Sequence, residues 1–351
     1  MFKKNNLGTW FIALLSVAPV AWWFFAFPLA SRLGSIWDIA GTLGKAAAIA
    51  GFVLFSLNFV LALRTHWLEK LFGPLDRVYR IHHIVGGLAF IFLILHPLLL
   101  ALSFVSVSPL FARDFLFGIG SWQVATGKLA LLVLFVILAL TLYAYKKLGH
   151  DRWKIVHKFI GLALALGVVH AFYVPGEVSV IPLLRYYLLL IGLVGISAFL
   201  WRTVFQMFKR NEYEYEFVSV NNLGAEIYEV VLRPLHKKIS HMPGQFAFVR
   251  IIQGAYDKKS HPFTISSSPD DQYIRFSIKA LGDYTKSLAA IASGTRCRIE
   301  GPFGRFTYST TPETHQLWVA GGIGVTPFLS MARFFKDQGS TMGYDIDMYY
   351  S

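Results

Sequence analysis

Six stretches of mostly apolar residues, each about 20 residues long, are the strongest constraint on how this chain can fold. A helix of that length crosses the hydrocarbon core of a bilayer. Only 15% of the residues are charged and 55% are hydrophobic, which also indicates lipid as the solvent. The sequence therefore predicts an integral membrane protein with an all-α bundle of six helices, at Gly8–Ala30, Leu43–Leu63, His82–Val105, Trp122–Tyr145, His157–Tyr173 and Leu183–Phe208.

Lysine and arginine are unequally distributed among the loops between these stretches. The loops on one side contain only Arg32, Arg113 and Arg185. The other side has Lys3, Lys4, Arg64, Lys70, Arg77, Arg80, Lys146, Lys147, Arg152, Lys154, Lys158, Lys209 and Arg210. The positive-inside rule then predicts that both termini are cytoplasmic, with a bacterial inner membrane as the expected location. A basic face beside an anionic leaflet explains the net charge of +13 without nucleic acid as a partner.

Histidines occur at matched positions in the third and fifth apolar stretches. His82 and His96 are 14 residues apart, and His157 and His170 are 13 apart. Fourteen residues are close to four helical turns, so both side chains share a face, roughly 20 Å apart along the axis. Imidazole is a common iron ligand, and ionisable residues within a membrane usually have a function. We therefore predict two b-type haems, an inner one at His82 and His157 and an outer one at His96 and His170; His83 is the alternative to His82, which has the better helical phase.

Other residues limit the choice of cofactor. Cys297 is the only cysteine, which excludes a disulfide framework and metal sites built from several thiolates. Arg77, Arg80 and Lys154 lie near the inner histidines and are candidate partners for haem propionates. The simpler alternative is that the membrane histidines only form hydrogen bonds between helices or relay protons. The histidines outside these stretches and motifs are expected at the surface: His66, His150, His236, His241 and His315.

After residue 210 alternating polar and apolar residues replace the long apolar runs. Strands at Tyr213–Val220, Ile227–Leu232, Phe246–Ile252, Phe263–Ser266, Tyr273–Lys279 and Arg296–Glu300 indicate a small antiparallel β-barrel. A strand at Gln316–Ala320, a helix at Pro327–Phe335 and a strand at Ile346–Tyr350 indicate the start of an α/β nucleotide-binding domain. The predicted domains are the membrane bundle (1–210), the barrel (211–310) and an incomplete α/β domain (311–351).

Three motifs in this part fit FAD and NAD(P)H. A hydroxyl-rich turn suits the ribityl chain of a flavin, and it is expected at His261, Pro262, Phe263, Thr264 and the serines that follow. A glycine turn that opens a helix suits the flavin phosphate, and its residues are Lys279, Gly282, Asp283, Tyr284 and Thr285. A glycine loop between strand and helix suits a dinucleotide, and it contains Gly321, Gly322, Ile323, Gly324, Val325, Thr326 and Pro327.

Over nearly its whole length the chain resembles the ferric reductase and NADPH oxidase superfamily. That family has paired histidines on its third and fifth spans, and Gly86 matches the small residue four positions after the first of them. His261–Thr264 is similar to the family's flavin motif, and Gly282–Thr285 to its flavin phosphate loop. Further similar segments are Pro243–Phe246 in the barrel, and Gly301–Gly304 and Gly321–Pro327 at the nicotinamide nucleotide.

The resemblance implies an oxidoreductase that passes electrons from NAD(P)H through FAD and two haems to a ferric chelate or O2 outside the cell. Oxygen-reducing members often have a further histidine one turn after the outer ligand, where this chain has Leu100. The family's cysteine–glycine motif and terminal aromatic would follow Ser351, so NADH and NADPH are not distinguished. Two other classes are open: a haem-free, membrane-anchored flavoprotein that reduces quinone, and a transporter or haem carrier with a regulatory soluble domain.

Overall fold

The chain is described here by a computed structural model, which covers residues 7–147, 150–205, 212–253 and 260–351. It separates into two compact units, Met1–Phe208 and Lys209–Ser351. Within the described ranges, six helices of the first unit are long and apolar enough to cross a membrane. The predicted six-helix bundle is therefore confirmed.

The helices of the membrane unit differ from the prediction mainly at their ends and in the loops. They are α1 (Leu7–Phe25), α2 (Ala30–Leu33), α3 (Ile36–Leu61), α4 (His66–Phe72), α5 (Leu75–Phe104), α6 (Pro109–Phe117), α7 (Trp122–Lys147), α8 (His150–Lys158), α9 (Ile160–Tyr173) and α10 (Pro182–Leu200). A π-helical turn, Trp201–Phe205, follows α10. The short helices α2, α4 and α6 escaped prediction because each is much shorter than the run of about 20 apolar residues that marks a membrane span.

The fifth predicted stretch is divided between two helices. His157 lies in α8 and His170 in α9, and Phe159 separates these helices. The amide of Phe159 donates to Val156 in a tight turn of 3₁₀ type, at 3.1 Å. The two histidines therefore do not share one regular helix, and their common face depends on the geometry of this turn.

Helix α3 packs against α1, α5 and α10. Its contact with α5 is close because glycines face that helix. A Cβ atom at Gly44 would lie 3.1 Å from the Leu100 nitrogen, and one at Gly51 would lie 3.0 Å from Phe92. Small residues allow membrane helices to approach closely. This approach brings backbone carbonyls of α3 within reach of side chains on α5.

The second unit begins with a six-stranded antiparallel sheet. Its strands are β1 (Glu212–Gly224), β2 (Ile227–Pro234), β3 (Phe246–Ile251), β4 (Ser260–Thr264), β5 (Ile274–Lys279) and β6 (Arg296–Phe303), in the order β4-β3-β6-β1-β2-β5. A single bridge from Ile265, just after β4, to Phe276 links the two edge strands. One face buries a core that includes Tyr215, Phe217 and Phe276. The predicted antiparallel β domain is confirmed, although β4 begins earlier than expected.

A βαβ unit follows the sheet. Strand β7 (His315–Ala320) pairs in parallel with β8 (Asp345–Tyr350), and α12 (Thr326–Asp337) connects them. The shorter helix α11 (Asp283–Lys286) precedes β6. Trp318, Phe328, Met331 and Phe335 form the core between α12 and the strands. This arrangement confirms the predicted start of an α/β domain.

Candidate functional site

Two of the predicted histidine ligands on α5 are held by backbone carbonyls of α3. The Nδ1 atom of His82 lies 3.1 Å from the carbonyl oxygen of Asn58, and that of His96 lies 3.0 Å from the carbonyl oxygen of Gly44. A carbonyl only accepts hydrogen bonds, so each Nδ1 carries the proton. The lone pair is then on Nε2, which is the tautomer and orientation that a metal-ligating histidine needs.

His170 on α9 is held in the same way by α7. Its Nδ1 lies 2.8 Å from the carbonyl oxygen of Gln123. One turn further along α7, a Cβ atom at Gly127 would lie only 2.5 Å from the same Nδ1. Gly127 therefore provides the space that the imidazole occupies.

His157 is the fourth predicted ligand and differs from the others. Its Nδ1 is buried and has no hydrogen-bond partner within the ranges that the structure describes. Its ring stacks on Trp153, with centroids 5.6 Å apart and an angle of 21° between the planes. An aromatic contact, rather than a carbonyl, orients this imidazole.

The histidines are also near one another in the predicted pairs. His96 lies near His170, and His82 lies near His157. His83 also lies near His157, and its ring centroid is 5.7 Å from that of His82. The arrangement fits two pairs at two depths, while the choice between His82 and His83 stays a prediction.

A partly buried ionic cluster that sequence reasoning missed lies beside the outer pair. The guanidinium of Arg32, whose side chain is 2% exposed, contacts the Glu177 carboxylate at 2.6 Å and stacks 3.9 Å above the ring of Trp23. Lys45 also contacts Glu177, and Trp23 donates to it at 3.0 Å. Lys45 directly follows Gly44, whose carbonyl binds His96, so the cluster anchors the turn of α3 at the outer pair.

Replacing Glu177 by Gln is expected to destabilise the membrane unit by roughly 2–3 kcal/mol, because the buried guanidinium of Arg32 would lose its carboxylate. Burial alone would raise the pKa of Glu177, but the hydrogen bonds from Lys45 and Arg32 outweigh it and lower that pKa. Because the pKa of Glu177 is lower in the folded state, its ionised carboxylate stabilises the fold. This stabilisation is complete above the pKa of the unfolded chain, about 4.3, and is lost as the pH falls through the pKa of the folded state.

Thermal unfolding of the purified protein at neutral and acidic pH measures both effects. The wild type should lose melting temperature below about pH 4.3, and Glu177→Gln should lose less over the same interval. Asp114→Asn is the control, since Asp114 pairs with Arg113 at the surface, with side chains 62% and 63% exposed. Equal melting temperatures of Glu177→Gln and wild type at neutral pH would contradict the prediction.

The predicted flavin residues come together beside β4. His261 and Tyr284 stack with ring centroids 3.8 Å apart, and Phe263 and Tyr284 are nearly parallel at 6.5 Å. Pro262 and Thr264 belong to the same strand, and Lys279 ends β5. The hydroxyl of Thr285 accepts from the Gly282 amide and donates to the Gly282 carbonyl, each at 3.0 Å, which closes the turn before α11.

The serines that follow this motif are buried. Ser266, Ser267 and Ser268 are all 0% exposed. The Ser267 carbonyl accepts from the Ser330 hydroxyl at 2.6 Å, and that of Ser266 accepts from Arg333 at 2.9 Å, both on α12. These serines therefore join the sheet to the βαβ unit, and their side chains are unavailable to a ribityl chain.

His241 was also expected at the surface, and this was wrong. Its side chain is buried, and its Nε2 lies 3.5 Å from the Ser267 carbonyl oxygen. Burial lowers the pKa of His241. By contrast His236 and His315 are exposed as expected, and His66 is exposed at the start of α4. The side chain of His150 lies outside the described residues.

The predicted nucleotide loop connects β7 to α12. Gly322–Val325 form one 3₁₀ turn, and α12 begins at Thr326 with Pro327 in its first turn. Gly322 has φ +51° and donates to the Ser351 carbonyl at 3.0 Å. Cβ atoms at Gly322 and Gly324 would meet nothing within 4 Å. A loop whose backbone is open on one side and leads into a helix fits the pyrophosphate of a dinucleotide.

Two family models match the chain. One is described as a ferric reductase like transmembrane component and matches residues 47–168; the other is described as an FAD-binding domain and matches residues 212–320. The first match includes the predicted haem ligands His82, His96 and His157 but ends before His170, and the second includes the flavin motifs.

Curated relatives are similar at low identity. Dual oxidase 2 of Rattus norvegicus is 25% identical over 345 residues, which cover 86% of this chain and 21% of the relative. A superoxide-generating NADPH oxidase heavy chain of Dictyostelium discoideum is 28% identical over 134 residues, 32% of this chain and 19% of the relative. The chain thus spans about a fifth of the length of these relatives.

Solved structures are similar over a smaller part of the chain. The ferredoxin reductase in carbazole 1,9a-dioxygenase is 23% identical, with a TM-score of 0.34, and covers 40% of this chain and 42% of that one. Together, the six membrane helices and the two family matches define a membrane protein with a ferric reductase like transmembrane region and an FAD-binding domain. In both units the chain is similar to the ferric reductase and NADPH oxidase superfamily.

Proposed function

We propose that the chain moves electrons from NAD(P)H through FAD and two b-type haems to an acceptor on the opposite side of the membrane. The observation that carries the proposal is the fixed tautomer of His82, His96 and His170. Each donates its Nδ1 proton to a backbone carbonyl of a neighbouring helix and so presents Nε2 as a ligand. If these histidines only formed hydrogen bonds between helices, the same tautomer with a free Nε2 would not be needed at two depths.

The proposed roles divide along the chain. In residues 1–210, His82 and His157 hold the inner haem, with His83 as the alternative to His82, and His96 and His170 hold the outer haem. In residues 211–310 the FAD is bound by His261, Pro262, Phe263, Thr264, Lys279, Gly282, Asp283, Tyr284 and Thr285. In residues 311–351 the nicotinamide nucleotide is bound by Gly321, Gly322, Ile323, Gly324, Val325, Thr326 and Pro327.

The cofactors supply the redox chemistry: FAD converts the electron pair of a hydride into single electrons, and haem iron takes one electron at a time. The chain's own residues orient these groups and exclude water. The carbonyls of Gly44, Asn58 and Gln123 fix three imidazoles, and the ring stack of His261 and Tyr284 offers an aromatic wall for the flavin.

The proposed acceptor is a ferric chelate or O2. Relatives named as superoxide-generating oxidases support O2. Leu100, at the position where oxygen-reducing members often have a histidine, weakens the case for dedicated superoxide production. We further propose, from the distribution of lysine and arginine, that both termini are cytoplasmic. A bacterial inner membrane is the proposed location.

An absorption spectrum of the purified protein, before and after dithionite, tests the proposal, with haem quantified as its pyridine haemochrome. We expect a b-type spectrum and about two haems per chain. Flavin absorbance without a Soret band would favour the membrane-anchored quinone reductase instead. A transporter or haem carrier would oxidise no nucleotide with an acceptor present.

Replacing Tyr284 by Ala is expected to weaken FAD binding about tenfold, because it removes the ring that stacks on His261 and Phe263. FAD fluorescence titration of the purified protein measures the effect. Tyr284→Phe keeps the ring and should restore most of the affinity. Tyr349→Ala, at an exposed tyrosine of β8, is the control; an equal loss of affinity in that variant would argue against a specific stack.

A further inference from the structure

A groove lies between α1 and α5 at the end of the bundle where both helices begin. Its volume is about 370 Å³, and it is lined by Thr9, Trp10, Arg77, Arg80, Ile81 and Ile84. None of these residues belongs to the proposed electron path. The groove therefore needs an explanation of its own.

The α5 residues of the groove lie on one face of the helix. Arg77, Arg80, Ile81 and Ile84 have the spacing i, i+3, i+4 and i+7, which places them in one stripe. The arginines are nearest to the start of α5, and Ile84 lies about two turns deeper than Arg77. Ile84 is 57% exposed and so is Trp10 on α1. The groove is thus basic near the start of α5, at the membrane surface, and apolar toward the interior of the membrane.

This stripe faces away from the haem ligands of the same helix. At about 100° per residue, its centre lies about 130° around the axis of α5 from His82 and His96. Both histidines are turned toward α3 by their Nδ1 hydrogen bonds. This placement argues against the expectation that Arg77 and Arg80 bind haem propionates; the side chain of Lys154 lies outside the described residues.

We infer that the groove binds an anionic phospholipid from the adjacent leaflet. Arginine guanidinium groups bind phosphate oxygens in a bidentate fashion, and a tryptophan side chain is typical of the headgroup level. Arg80 is exposed and forms no hydrogen bond or ion pair with any other residue in the described ranges, so its charge is available. Ile81 and Ile84 extend the groove with an apolar surface that suits an acyl chain. A free phosphate ion would leave this apolar surface in contact with water.

The test is a lipid titration of the purified full chain after its native lipid has been removed in detergent. Phosphatidylglycerol and phosphatidylcholine with identical acyl chains are added separately, and binding is followed by native mass spectrometry and by the melting temperature. The variants are Arg80→Gln and Arg77→Gln/Arg80→Gln. The control is Lys70→Gln, which removes an exposed charge from α4 at the same end of the bundle.

Phosphatidylglycerol should bind the wild type and Lys70→Gln equally, and each arginine removed should weaken its affinity about fivefold. Phosphatidylcholine should not distinguish the variants, and haem content should stay unchanged in Arg80→Gln. The inference is overturned if phosphatidylglycerol binds the double variant as tightly as the wild type, or if inorganic phosphate gives the same thermal shift as the lipid. It is also overturned if Arg80→Gln loses haem while its lipid affinity is unchanged. Arg80→Gln suffices for the test if the double variant does not fold, because the exposed Arg80 side chain has no hydrogen bond or ion pair to lose within the described ranges.

Discussion

Replacement of His170 by Leu is expected to lower the haem content of the purified protein from about two to about one per chain. Leucine has a similar volume but no ligand atom, and the hydrogen bond to the Gln123 carbonyl at 2.8 Å is lost with it. The outer haem would then have only His96 as a ligand. The proposed inner pair consists of His82 near the start of α5 and His157 in α8, away from the substitution, and should keep its haem. Pyridine haemochrome quantitation, normalised to protein, measures the result.

Variants of other histidines test whether the loss of haem is confined to the outer site. His96→Leu should give the same loss as His170→Leu, and the double variant should lose no more than either, because all three remove one site. His236→Leu, at an exposed histidine of the second unit, should keep both haems. His170→Leu with two haems would refute the assignment of the outer site.

Comparison of His82→Leu with His83→Leu decides between the two candidate inner ligands. The structure gives His82 a carbonyl partner at 3.1 Å, whereas His83 lies on the exposed side of α5. We therefore expect His82→Leu to lose the inner haem and His83→Leu to keep it. The reverse result would assign the inner site to His83 and would place the haem on a different side of α5.

The sequence was sufficient for features that depend on composition and local spacing. The membrane helices follow from the length of apolar runs, which hydropathy detects without knowledge of neighbours. The proposed histidine pairs, which stay a prediction, rest on the 14 residues between His82 and His96 and on the alternating direction of the spans. The glycine loop at Gly321 follows from its position between a strand and a helix. Each of these depends on residues near one another in the sequence.

The features that escaped prediction depend on contacts between distant residues. Glu177 meets Arg32 and Lys45 only when three segments of the bundle are assembled. His241 and Ser267 have polar side chains typical of a surface, yet both are buried, and the Ser267 carbonyl accepts a hydrogen bond from Ser330 on α12. Backbone carbonyls give no sequence signal at all, since every residue has one. The carbonyl partners of the imidazoles, at Gly44, Asn58 and Gln123, could therefore not be predicted.

Two glycines show most clearly that the sequence alone does not reveal contacts between distant residues. Gly87 and Gly127 both lie within membrane helices, and nothing in their sequence neighbourhoods separates them. A Cβ atom at Gly87 would meet no atom within 4 Å, whereas one at Gly127 would lie 2.5 Å from His170 Nδ1. Only the structure indicates that Gly127, and not Gly87, adjoins a proposed haem ligand.

Gly127→Ala is therefore expected to weaken the outer haem site at least about tenfold without removal of any ligand. The added methyl group would displace the imidazole of His170. That ring cannot simply swing aside, because it is hydrogen-bonded to the carbonyl of Gln123, one turn before Gly127 on α7. Displacement would break that hydrogen bond, free the tautomer and move Nε2, the atom that would hold the outer haem. Haem retention during dialysis against apomyoglobin measures the loss, and Gly87→Ala is the matched control, with the same change in an open position. If both alanine variants retain haem equally, the space at Gly127 is not what positions His170, and the carbonyl of Gln123 alone must be sufficient.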